Sequence, residues 1–261
     1  MASTTLKHIW EDEHLWSTVV FGDSLAFFSL CVFAVYEGLE DVVMEWARVE
    51  ASARYLARTN ETYAPEVWRG SIVRSMVTAA NVCSTDNSAD RALSMFFKVV
   101  QWRVAGRQQR PSGTAARISL FAAAVELMNA LSSGRYHNTG PQLYSTFQGL
   151  CNKSHIRPRS DFNGSWELSI ARLALYHPTN PDPDPTIELM RDLLARHGSG
   201  FDPVPHMRDP YKRSLQRCHE LLRSQKREQD SEWITQVDKD VFGSSLDIST
   251  NVSSNGGPHR V

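Results

Sequence analysis

The sequence predicts an all-α protein, and three observations carry that expectation. Apolar residues recur at steps of three and four along most of the 261 residues. No segment sustains the apolar–polar alternation of a strand, and glycines and prolines fall mostly where the apolar runs end. Helices stopped by glycine and joined by short turns become antiparallel neighbours, so the expected architecture is a series of antiparallel helical hairpins.

A first helix is expected over residues 6–20 and a second over 24–36, with Gly22 breaking the first and Asp23 or Ser24 capping the second. The second run carries no charge but is shorter than the ~20 residues a bilayer span needs, so it reads as a buried core helix. Gly38 separates it from a third helix, in which Leu39, Val42, Val43, Trp46, Val49, Ala53 and Leu56 form one apolar stripe expected to pack on the second. A break at 60–65 precedes a fourth helix through Trp68, Ile72, Met76 and Ala80. Leu93, Phe96, Phe97, Val100 and Val104 define a fifth, expected to stop at Gly106. An arginine- and glutamine-rich loop at 107–113 leads to a sixth helix over 114–133, ended by Gly134. Pro141 opens a seventh with Leu143, Phe147, Leu150 and Cys151 on one side.

The basic, proline-containing stretch 153–160 reads as a linker, dividing a helical region at 1–152 from a second at 161–242. In that second region Asp161 and Gly164 signal a turn, Leu168 and Ala171 share a helical face, and a helix opened by Asp184 and Pro185 closes on Leu193, Leu194, His197 and Gly198 before Asp202 and Pro203. This arrangement resembles one degenerate ankyrin repeat over about 161–203. Trp166 and Glu167 replace its usual Thr-Pro, and a proline-rich insertion lies at 177–185. The resemblance implies a recognition surface built from inter-repeat turns and first-helix faces, here Arg159, Phe162, Trp166, Phe201 and His206. A further helix is expected from Asp209-Pro210 through Tyr211, Leu215, Cys218 and Leu222, then a short one near Trp233. Residues 243–261 are rich in Ser, Asn and Gly, the composition of a disordered tail.

The net charge of -1 argues against bulk attraction to nucleic acid or acidic membranes. Cys31, Cys83, Cys151 and Cys218 are scattered through apolar patterns without a C-x-x-C pair and read as small hydrophobes. With an acidic start at Glu11-Asp12-Glu13, the expectation is an intracellular protein, cytoplasmic or nuclear, with no membrane span.

Three constellations carry possible chemistry. The block from Val19 to Leu25 resembles the nucleophile motif of the GDSL esterases and lipases, which would make Ser24 a nucleophile, but no Asp-x-x-His follows to supply base and orienter. His177-Pro178-Thr179 resembles the end of that motif, with Ala174 where the aspartate belongs. His8, Glu11 and His14 stand at steps of three, metal-ligand types in what is also an ordinary acidic first turn. Arg103, Arg107, Arg110 and Arg117 gather around a loop with no aromatic residue to stack on bases, which leaves an RNA-binding adaptor as a further alternative. The reading that joins these observations is a non-enzymatic protein-interaction scaffold of helical-repeat type, with no metal, no cofactor and another protein as its partner.

Overall fold

A computed structural model describes residues 2–22, 24–48, 65–109, 118–152, 156, 165–198 and 201–243. Among these residues there are twelve α-helices and no strand, as the periodicity requires. They fall into two compact units that divide between Leu189 and Met190. Compactness therefore continues beyond the expected 153–160 linker.

The opening of the first unit differs from the single helix expected at 6–20. Helix α1 (Ala2–Glu11) ends at Asp12, which caps α2 (Glu13–Ser17) by accepting from His14 N at 2.9 Å and Leu15 N at 3.0 Å. Those two amides hold the Asp12 carboxyl below its ordinary pKa range, the bond from Leu15 most strongly. A five-residue π-helical turn, Thr18–Gly22, follows, then α3 (Ser24–Tyr36). Gly38 takes a φ of 72° in the turn to α4 (Glu40–Trp46). The expected stripe beyond Trp46, with Val49, Ala53 and Leu56, lies outside the described residues.

Helix α5 (Pro65–Val82) is the centre of the unit, packing against α3, α4, α6 (Asp90–Gln109) and α7 (Phe121–Leu131). Trp68, Ile72, Met76 and Ala80, spaced by four, are all buried, so its predicted rhythm is its core face. Gly106 does not stop α6, because it stays outside the left-handed region and the helix continues to Gln109. Helix α7 starts later than expected. Residues 118–120 bury Ile118 and Leu120, and Ser119 lies so close to Gly70 of α5 that a Cβ there would come within 2.8 Å of the Ser119 carbonyl oxygen. Gly134, with φ of 76°, closes the following turn.

Helix α8 (Pro141–Cys151) begins at Pro141 as expected and packs on α6, while α9 (Ser165–Leu175) packs on α7 and α8. Helix α10 (Asp184–His197) matches the expected bounds and ends at Gly198 with φ of 65°. At its start Asp182 accepts from Asp184 N at 2.9 Å.

In the second unit α11 (Pro205–Ser224) packs on α12 (Glu228–Phe242), burying Tyr211, Leu215, Cys218 and Leu222 with Ile234 and Val237. Pro205 supplies the N-terminal proline, so α11 starts four residues before Asp209 and carries Pro210 inside it. The short helix expected near Trp233 spans fifteen residues.

Candidate functional site

Two features of the first unit stand out chemically. The first is a pocket of about 450 Å³ between α1 and α4. Helix α1 contributes Ser3, Leu6, Lys7 and Trp10, residues that helical spacing places on adjoining faces, while Leu39, Val42, Glu45 and Trp46 come from α4 and its N-cap. Trp10 stacks on Trp46 with ring centroids 5.8 Å apart. Trp46 in turn meets the edge of Trp16 at 6.4 Å, and Trp16 meets Trp68 at 5.8 Å. The pocket wall is thus the outer end of a four-tryptophan chain rooted in the core. Trp46 is buried while Trp10 keeps 47% of its surface in solvent. At the rim Glu45 accepts two hydrogen bonds from Arg48, each of 3.0 Å. Lys7 lies 3.8 Å from Glu11, beyond hydrogen-bond reach.

The second feature corrects the reading of 24–36 as a buried core helix. Phe27, Leu30, Cys31, Ala34 and Val35 face inward, but Leu25, Phe33 and Tyr36 are 73%, 60% and 83% exposed. Their spacing of eight and three places all three on one outward face. No single helix among the described residues is long and apolar enough to cross a membrane.

Helix α8 and the loop after α9 bring together a serine and a histidine that share no sequence motif. Ser145 Oγ lies 2.8 Å from His177 Nε2, and Tyr144 meets the edge of the same imidazole. The polarity of this pair decides what it can do. His177 Nδ1 accepts from Asn180 N at 3.1 Å and, more distantly, from Thr179 N at 3.4 Å, so the ring proton belongs on Nε2. Nε2 then donates to Ser145, whose own hydroxyl donates to the Pro141 carbonyl at 2.8 Å. A general base needs the reverse arrangement, with an open lone pair on Nε2. His177 is a strut for the 176–183 loop, and burial lowers its pKa, keeping the ring neutral.

The structure separates the residues singled out in sequence. Ser24 is exposed in the first turn of α3, and His177 is bonded to Ser145 instead. Among the described residues no three His, Cys, Asp or Glu side chains are placed to hold a metal ion, so His8, Glu11 and His14 do not converge on one. Arg159, Phe162, Arg110 and Arg117 lie outside the described residues, as does the side chain of Arg107; Arg103 is half-buried on α6.

Trp166 must be corrected as a contact residue. It is 2% exposed, stacks on Phe121 at 5.6 Å and places its indole nitrogen 3.3 Å from the Cys151 carbonyl, so no partner could reach it without opening the core. In the second unit Phe201 is half-buried, its ring 5.7 Å from that of Tyr211, whereas His206 is exposed in the first turn of α11. Leu168 and Ala171 are both buried, consistent with the shared face read from their spacing.

All four cysteines are free thiols. Burial pushes the Cys151 thiol up to about 12 and raises Cys31 as well, which removes the thiolate that nucleophilic chemistry needs. No family model, curated protein or solved structure matches the chain.

Sequence patterns alone reveal neither the pocket nor the outward stripe. The pocket needs the pairing of α1 with α4, which no local pattern encodes. The stripe is hidden because α3 is apolar on every side, leaving no polar face to mark the direction of solvent.

Proposed function

We propose that this protein is a non-enzymatic binding module that docks an apolar helical segment of another protein. The observation that carries the reading is the outward face of α3, where Leu25, Phe33 and Tyr36 stand in solvent on a helix with no charged side chain along its length. Large apolar side chains repeated along one face are the anchors of helix-in-groove recognition, and a contiguous exposed apolar surface marks interaction sites. The partner chemistry that fits is an amphipathic helix whose apolar side covers Leu25, Phe33 and Tyr36. The reversed polarity of Ser145 and His177, and the departure of Ser24 from its motif, favour binding over hydrolysis. The ankyrin resemblance adds a second candidate surface, His206 with the exposed part of Phe201.

Quantitative affinity purification with a face variant tests the reading. Phe33→Asp should release the species that accompany the wild-type protein, while Gln142→Ala, a change on the exposed face of α8, should retain them. Recovery of the same species with both variants would sink the proposal.

A further inference from the structure

We infer that the pocket between α1 and α4 is a binding site for a small amphiphilic monocarboxylate, with an acyl or aromatic body against Trp10 and Trp46 and its carboxylate at Lys7. This site is separate in composition from the α3 face and stands whether or not that face docks a protein. A volume of about 450 Å³ lies within the range of pockets that take small organic ligands. The lining is mostly apolar, from Leu6, Leu39 and Val42 as well as the two indoles, so water there has few partners and an apolar body displaces it favourably.

The rim charges select the head group. Glu45 is already answered by two hydrogen bonds from Arg48. Among the described residues Lys7 is held by a 3.8 Å approach to Glu11 alone, and its ammonium, mostly exposed, keeps donors for a ligand. Ser3 stands one turn away on the same helix and adds a hydroxyl at that end. One negative charge is therefore matched, a positive head would meet Lys7, and a second negative charge would meet Glu11 and Glu45.

Titration of the full chain with decanoate, followed by tryptophan fluorescence, tests the site. Saturable quenching is expected, weakened roughly five-fold by Lys7→Gln through loss of a charge-assisted contact. Decyltrimethylammonium should bind more weakly than decanoate. Val42→Trp, which fills the pocket from its exposed wall, should abolish the response while the far-UV circular dichroism is retained. The inference is overturned if decanoate gives no saturable signal, if Lys7→Gln binds it as tightly as wild type, or if the cationic amphiphile binds equally well. Should Val42→Trp fail to fold, Lys7→Gln decides alone, because it alters only an exposed side chain.

Discussion

Single residues in this protein act through where their neighbours lie, and two glycines show it. Gly70 faces Ser119, where any Cβ meets the backbone oxygen at 2.8 Å, while a Cβ added at Gly149 in α8 would have nothing within 4 Å. Gly70→Ala should therefore destabilise the protein by about 1–3 kcal/mol through overpacking. Gly149→Ala should stabilise it by about 0.5–1 kcal/mol through reduced unfolded-state entropy. Urea denaturation of the two variants checks both signs. His177 gives a pH effect whose direction follows from its burial. Its folded pKa is lowered, so the unfolded chain binds the proton more readily, and stability should fall as pH drops through the ordinary histidine range near ~6.5. His219 in the second unit is shifted the same way, by burial first and by Arg223 second. The urea midpoint should thus decline from neutral to mildly acidic pH in the wild type, and His177→Gln should show a shallower decline. An unchanged slope would mean the His177 strut does not couple to folding.

At the scale of the element, α3 separates what sequence can report from what it cannot. Its existence and bounds are legible, since between Gly22 and Gly38 the apolar run from Leu25 to Tyr36 is interrupted only by Ser29. Its orientation is not legible, because an inward Phe27 and an outward Phe33 look alike when Ser24 and Ser29 are the only polar positions and too few to define a face. The two phenylalanines should separate sharply in mutagenesis. Phe27→Ala should cost about 3–5 kcal/mol, as removal of a buried ring does, whereas Phe33→Ser should change stability by less than about 0.5 kcal/mol. Helix α5 is the opposite case, since its four-residue apolar rhythm names the core correctly, although Arg69 and Asn81 are buried with it. The end of α6 and the start of α7 depart from expectation for a third reason. Residues 118–120 take a conformation set by packing against α5, and Gly106 is a glycine tolerated inside a helix; local propensity is a weak prior in both cases.

Across the whole molecule, the all-helical class follows from periodicity, yet the division at Leu189 and Met190 does not. Residues 153–160 have the composition of a linker, but α9 packs on α7 and α8 within the first unit. Boundaries of compact units are decided by which apolar faces meet, and that information is spread over distant segments. Charge is also organised locally. The pairs Arg74–Glu126, Arg91–Glu40 and Lys98–Asp41 join different helices of the first unit at 2.5 to 2.7 Å, all with at least one largely exposed partner. Pairs of that kind contribute about 0–1 kcal/mol each and are screened by salt. Raising sodium chloride to ~0.5 M should accordingly leave the denaturation midpoint nearly unchanged; a large drop would show the ion pairs to be more important than their exposure implies.

The deep placement of Cys31, Cys151 and Cys218 makes them built-in reporters of breathing. An alkylating reagent such as iodoacetamide can attack these sulfurs only during moments when the helices around them part. Their modification rates would time those openings, with Cys31 and Cys151 reading the first unit and Cys218 the second, and no engineered label would be required.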